Sequence, residues 1–541
     1  MRARFFRLLA PVPLVFALLS LAACGKRVTA VDQGNREQVL ERGAGADVAD
    51  LDPQTATRIS EMDVDSALFE GLVTEDPVDL HPVPGVAESW ESSADGLTYT
   101  FHLRANARWS DGTPVTAADF VHSWQRELSP ALAAENVGLL YVLQGAEAYH
   151  HGLTTDFGQV GARAIDAHTL RVRLEHAAPY FLSLLSHAAW LPVPVATIAK
   201  FGSITDRGNR WTRAGNLVGN GPFVLKTWRP NEQILVEKSP TYWDAAHVRL
   251  QAIRFHPIDS VDAEERAFRA GQLHLTYALP FGKAEVYRRE APGLLRSDPY
   301  LDTYFLRLNT ARPPLDDERI RRALAMAIDR TALVDKVLRD GQRPATAITP
   351  PGLPNYTPPT GLGMDIPAAQ RLLAAAGHAN GQGLPPIEFL FNTSPNLRIV
   401  AEALQEMWHR ELGIDVQLVN QEYKVVLSER QVGNYQILLG DWVGDYLDAS
   451  TFLDPWRSDS ANNHTGWASR DYDALLFAAD RNANPVARGA QLRQAESLVL
   501  AAAPIVPLYY NAHTFLLRPS VQGWHPTLLD HHPYKYVWLK P

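Results

Sequence analysis

Apolar residues recur at every second position in four stretches: Tyr99, Phe101 and Leu103; Leu170, Val172 and Leu174; Ile387, Phe389 and Phe391; Ile414, Val416 and Leu418. A period of two puts alternate side chains on one face, so each stretch predicts a strand. A different spacing governs about 316–338, where Ile320, Leu324, Ala327, Ile328, Val334 and Val337 follow the turn of a helix. Asp316, Asp317 and Glu318 stand at its start, where the helix dipole favours negative charge. A second helix is predicted over 397–411, closing at Gly413. Strands interspersed with helices, without an internal repeat, indicate a mixed α/β protein. A Pro-rich stretch at 344–360 is long for a loop in a compact domain, so it either packs on the surface or lines a site.

Length adds domain count to this picture. A chain of 541 residues exceeds what one hydrophobic core serves, so two or three domains are expected. The net charge of −9 and the lack of a basic patch remove the electrostatic case for nucleic acid. The 13 Trp, 18 Tyr and 38 Pro suit a protein that encloses a ligand in ordered loops.

The N-terminus carries its own pattern. Arg2, Arg4 and Arg7 precede an apolar run from Leu8 to Leu21, too short for a membrane span and shaped like a secretory leader. Leu21-Ala22-Ala23-Cys24 resembles the lipobox of bacterial lipoproteins, and Cys24 is the only cysteine. That resemblance implies a signal peptide over 1–23, lipidation of Cys24 and a membrane-anchored protein on the periplasmic side of the envelope. Each buried acyl methylene adds about 0.8 kcal/mol, so two or three chains hold firmly. The polar residues 24–38 read as a flexible tether.

Signatures of catalysis are missing. Neither Gly25-Lys26 nor Gly282-Lys283 is followed by the Ser or Thr of a phosphate loop. There is no His-Glu-x-x-His stretch, no Gly-x-Ser-x-Gly elbow, and one cysteine excludes a two-cysteine zinc site. The histidine pairs at 150–151 and 531–532 read as solvated loop residues. No enzyme activity, catalytic residue, metal site or cofactor is expected.

The informative segment is Gly440-Asp441-Trp442-Val443-Gly444-Asp445-Tyr446. It follows Tyr435–Leu439, which reads as a buried strand, and Val443-Gly444 is poor helix material. The acids and aromatics therefore stand at the end of a core strand, a usual place for ligand sites in α/β sheets.

This segment, with Thr451-Phe452-Leu453 and Ser460-Ala461-Asn462-Asn463, resembles the binding stretch of oligopeptide-binding proteins of bacterial ABC importers, within the solute-binding family of peptide and nickel transporters. The same family order holds for Leu51-Asp52-Pro53, Leu68-Phe69-Glu70-Gly71-Leu72, Pro84 to Trp90, Trp109 to Thr116, and Asn220-Gly221-Pro222-Phe223. It continues through Asn231-Glu232, Tyr242-Trp243, Ile328-Asp329-Arg330 and Ile505 to Tyr510.

The resemblance implies a two-lobed periplasmic-binding-protein fold with an inserted domain, closing on its ligand by a hinge. Lobe I would take 39–69, 196–298 and 513–541, the inserted domain 70–195, and the second large lobe 299–512. The partners implied are short peptides and a permease–ATPase complex, with the chain acting as a monomer. Murein peptide, a nickel chelate or haem are the alternative ligands, and a secreted peptidase the alternative class.

In the family an extended peptide pairs its backbone with short segments of both lobes. Here those segments would be Thr57, Arg58 and Ile59 on one side and Asp441, Trp442 and Val443 on the other. Asp445 matches the acid that takes the peptide's α-ammonium group, Trp442 would wall the site, and Arg430 would meet the carboxylate end or a side chain. The pattern also departs from the family. Leu439 and Leu397 fall where relatives carry an arginine and a histidine for the C-terminus, and Asn511 and Asn136 replace aromatics. Asp441 stands where glycine is usual, and a second acid near the amino end would favour Lys or Arg at the first peptide positions.

Overall fold

The computed structural model describes residues 28–541; the expected leader and Cys24 lie outside them. The stretch expected to be a flexible tether is ordered where it is described: Ala30–Glu37 is a helix. The Thr29 hydroxyl accepts from the Asp32 N–H at 3.0 Å, and the Asp32 carboxylate accepts from the Thr29 N–H at 3.1 Å. This reciprocal cap satisfies two helix-end donors. Val31 and Gly34 are buried, and the Val31 N–H donates to the Gly271 carbonyl. Polar composition concealed a capped helix with two inward positions.

Three larger sheets carry the fold. The first has four strands in the order Val39–Gly43, Ala252–His256, Gln233–Lys238 and Phe223–Arg229. Between Gly43 and Phe223 the chain builds a second, antiparallel sheet: Ala87–Ser92, Thr98–Leu103, Thr169–Arg173 and Ala162–Asp166. The third has six strands, ordered Arg343–Pro344, Ile505–Leu516, Leu295–Leu308, Ile437–Val443, Ile387–Asn392 and Val416–Gln421.

Leu295–Leu308 and Ile505–Leu516 join the first sheet to the third. Their outer halves pair Leu295 with Leu516 and Pro299 with Ala512; their inner halves pair Thr303 with Tyr510 and Arg307 with Ile505. The register breaks between Pro299 and Thr303. Leu275 bridges both Leu517 and Arg42, which stitches the outer end to the first sheet. Two main-chain strands therefore run from one body into the other, with a bulge at the crossing.

The period-two stretches form strands and most of their apolar positions are buried, Phe101, Leu170, Val172, Ile387 and Phe389 fully so, while Leu418 at the sheet edge is half-buried. The helix expected over 397–411 is Pro395–Leu412, ended by Gly413 at φ 68°. The helix expected over 316–338 is broken. Glu318–Met326 is helical, Asp329 then caps a new start by accepting from the Ala332 N–H, and Leu333–Leu338 forms a π-turn. Arg330 is drawn inward to donate to the Pro507 carbonyl at 2.7 Å, so a local cap and a buried guanidinium override the apolar period. The 344–360 loop lies on the Pro485–Ala502 helix, where the Thr349 N–H and the Tyr356 hydroxyl both donate to Glu496.

The sequence motifs meet one another. The Asn220 amide accepts from the Glu70 N–H at 3.0 Å and donates to the Glu70 carbonyl at 2.8 Å. The Glu70 carboxylate accepts from Tyr242 and Trp243, each at 2.5 Å. Asp52 holds the fully buried Arg126 through two bonds of 2.6 and 3.1 Å.

Candidate ligand-binding site

A cavity of about 420 Å³ opens between the body carrying the first two sheets and the end of the Ile437–Val443 strand. Its walls include Thr57, Ile59 and Asn136 on one side, Val443, Gly444 and Asp445 on the other, and the C-terminal segment Leu529–Lys535 at its base.

Four acids in these walls already have partners. Asp63 meets Arg42 at 2.6 Å, and Glu70 has Tyr242, Trp243 and the Lys535 ammonium at 3.7 Å. Glu75 meets His531 at 3.0 Å and accepts from Ser186 at 2.9 Å. Asp530 lies between His513 at 2.8 Å and His532 at 2.9 Å. Asp445 differs from all of them. Among the described residues no cation lies within ion-pair distance of it. Its side chain is open to solvent in the cavity, yet protein surrounds it closely enough that burial pushes its pKa up to about 6, with the Thr451 hydroxyl offsetting part of the rise. Losing water costs the charged form, and among the described residues no counter-charge makes up the remainder.

The strand leading to Asp445 is also incomplete. Residues Ile437 to Val443 pair antiparallel with Asp302 to Leu308 along one edge. On the other edge only Ile437 and Leu438 pair, with Phe389 and Leu390. From Leu439 to Val443 alternate main-chain N–H and C=O groups point away from Leu295–Leu308 and have no main-chain partner among the described residues. An open edge of this kind accepts an added strand. Gly444 then turns the chain inward: its N–H donates to the Leu301 carbonyl at 2.8 Å, and a Cβ there would lie 2.6 Å from a Leu301 methyl.

The other predicted residues fall variously. Trp442 is half-buried on the opposite face of the strand from Asp441 and Val443, packed against the Phe305 and Trp456 cluster, so it does not line the cavity. Thr57-Arg58-Ile59 is not a strand: Ile59 opens the helix Ile59–Leu68. Glu61 accepts from the Thr57 and Arg58 N–H groups at 3.1 and 3.2 Å, and the Arg58 carbonyl begins the helix ladder. Only the Thr57 C=O and the Ile59 N–H are left without a partner among the described residues. A capping carboxylate took the donors that a strand would have used. Arg430 is on the helix Tyr423–Gln431 and lies near Asp441 without forming an ion pair. Asn511 is away from the cavity and donates to Asp302 at 2.9 Å. Leu439 and Leu397 are buried in apolar core, and Asn136 lines the cavity while donating to the Ala56 carbonyl.

Sequence reading missed the base of the cavity. His531 and His532 do lie in a loop, but both are engaged by acids: His531 pairs with Glu75 and His532 hydrogen-bonds to Asp530. Their only sequence signal was adjacency, and their partners are remote in the chain.

Known proteins resemble this chain in sequence and in fold. Residues 81–464 match the model for "bacterial extracellular solute-binding proteins, family 5 Middle". The periplasmic oligopeptide-binding protein OppA of Escherichia coli (strain K12) is 37% identical over 497 residues, covering 90% of each chain. The solved Escherichia coli murein tripeptide-binding protein MppA superposes with a TM-score of 0.79 at 35% identity, over 93% of this chain and 98% of its own. Haemophilus influenzae OppA in complex with the peptide RPPGFSPFR superposes at 0.78 with 31% identity, over 93% and 99%. The fold is that of the OppA and MppA periplasmic binding proteins, and the chain belongs to family 5 of the bacterial extracellular solute-binding proteins.

Proposed function

We propose that this protein captures short peptides and delivers them to an ABC importer, binding each peptide as an added strand. The peptide backbone pairs with the open edge at Leu439–Val443, and its α-ammonium group reaches Asp445. The Thr57 C=O and Ile59 N–H contribute across the cavity. The observation that carries this reading is an unpaired carboxylate at the end of an unpaired strand edge. An ammonium brings three donors and a positive charge to a carboxylate that has only the Thr451 hydroxyl and no counter-charge among the described residues. Such a charge-assisted bond contributes about 1.5–3 kcal/mol. Main-chain pairing reads no side chain, which suits a receptor for many sequences.

The rest of the proposal follows the same reading. Cys24 carries the lipid anchor behind a cleaved leader, the protein acts as a monomer at the periplasmic face, and it performs no catalysis. Murein peptide is the second reading. Leu397 and Leu439 are buried in apolar core, so neither position holds a peptide carboxylate, and the changed contacts there suit a peptide whose far end is built differently.

Native mass spectrometry of the protein lacking residues 1–24, with a library of two- to six-residue peptides, tests the proposal. Bound masses that disappear on amino-terminal acetylation support it. Retention of acetylated peptides, or binding of none, would overturn it.

A further inference from the structure

The open strand edge carries a second acidic feature that the ammonium anchor does not use. Asp441 and Val443 share one face of the Ile437–Val443 strand, and Asp302 stands directly opposite Val443 on the neighbouring strand. Asp302 is therefore a diagonal cross-strand neighbour of Asp441 on that face. Asp302 is 2% exposed; one of its oxygens accepts from Asn511, and the other has no partner among the described residues. The Gln342 amide donates weakly to the Asn511 oxygen at 3.5 Å, which leaves its own carbonyl oxygen buried and without a partner. Both orphan atoms are oxygens, and that of Asp302 accepts once its carboxyl has given up its proton to the surroundings of an arriving cation. Tyr304, paired with Asp441 and stacked on Tyr509 at 4.9 Å, provides an aromatic wall to the same face.

The charges of Arg307 and Arg430 act on Asp441 from a distance, and neither arginine forms an ion pair with it or with Asp302 among the described residues. Arg307 projects to the other face, donating to the Asn462 carbonyl at 3.0 Å and lying over Trp456 at 4.7 Å. Burial and then the charge of Asp441 push the Asp302 carboxyl well above its ordinary range, the signature of an acid lacking a counter-charge.

We infer that Asp441 and Asp302, flanked by Tyr304, form a side-chain subsite selecting a lysine or arginine in the bound peptide. The inference rests on the strand-addition reading above. A peptide residue paired across the open edge from Asp441 presents its side chain on the Asp441 face, about 5 Å away at Cβ. If the first residue stands opposite Val443, beside Asp445, the selected residue is the third. The sequence-based expectation of a basic residue at the first positions moves inward accordingly. A long cation fits: its donors meet three acceptors, and its charge lies against a ring face.

The test is calorimetric titration with Ala-Ala-X-Ala and Ala-X-Ala-Ala, X being Lys, Arg, norleucine or Glu. The wild-type protein should bind the third-position Lys or Arg peptide about tenfold tighter than the norleucine peptide, with Glu weakest. Asp441→Asn and Asp441→Gly should reduce that ratio to about twofold or less, each variant being checked for an unchanged melting profile. Asp445→Asn should weaken all peptides while keeping the ratio. Equal affinity for Lys and norleucine at both positions, or a ratio unmoved in both Asp441 variants, overturns the subsite while leaving peptide capture intact. Failure of every peptide to bind overturns both.

Discussion

The His531 ring nitrogen lies 3.0 Å from each carboxylate oxygen of Glu75, across 456 positions of sequence. Burial is the largest single influence and opposes the charged form of both groups, but the partner's charge and hydrogen bond, joined by Ser186 on Glu75 and by Asp530 beside His531, together outweigh it. His531 is held above its ordinary 6.5 and Glu75 below its ordinary 4.5. The contribution of His531 is complete below pH 6.5 and fades as pH rises through its raised value. That of Glu75 is complete above pH 4.5 and fades as pH falls through its lowered value. The pair therefore stabilises most between those two points. Glu75→Gln should cost about 1 kcal/mol there, at the low end for a broken charged bond because the His531 side chain is 41% exposed to the cavity. Thermal unfolding of both proteins across pH 3–9 should show the gap narrowing at either extreme.

The raised pKa of Asp445 makes capture pH-dependent. Only the carboxylate attracts an ammonium, and with a value of about 6 its ionised fraction falls about tenfold from pH 7 to pH 5. Peptide affinity should fall by about the same factor over that interval. Asp445→Asn should be weak at every pH and show no slope there. Calorimetry at four pH values reads both quantities.

Asp52 and Arg126 form a doubly bonded, fully buried ion pair, which also draws in Gln54 at 2.6 Å. Arg126→Met strands the Asp52 charge. It should destabilise the protein by about 3–5 kcal/mol in chemical unfolding, where an exposed pair such as Arg288–Glu285 should contribute below about 1 kcal/mol.

Gly221 is placed against main chain. A Cβ there would lie 2.5 Å from the Leu68 carbonyl carbon and 2.6 Å from the Phe69 nitrogen, and neither is free to swing aside. Gly221→Ala should cost about 1–3 kcal/mol by overpacking and loosen the Asn220 grip on Glu70. Gly138→Ala, with open space around it, should be near neutral in the same melting assay.

Much of the architecture is legible in the order of the amino acids. Period-two alternation locates strands because a pleated backbone sorts side chains residue by residue. Gly413 ends its helix because the chain there turns left-handed, at φ 68°. Motif resemblance points to Asp445 and Val443, and both line the cavity. Errors arise where a local bond competes with a local pattern. Asp329 interrupts an apolar helix period, Thr29 and Asp32 order an apparent tether, and Glu61 takes the donors of Thr57 and Arg58.

What chain order alone settles here is where most strands and the longer helices lie, and which residues can carry charge. Whether a charge is satisfied is another matter. Asp63, Glu75 and Asp530 are neutralised by partners, while Asp445, Asp441 and Asp302 are left for something else to meet. Motif resemblance singles out Asp445 and Asp441, but nothing along the chain says that Asp302 stands without a counter-charge or that Asp63, Glu75 and Asp530 have one. Secondary structure follows from neighbours a few residues apart, but the state of a buried carboxylate follows from whatever folding brings within a few ångströms of it.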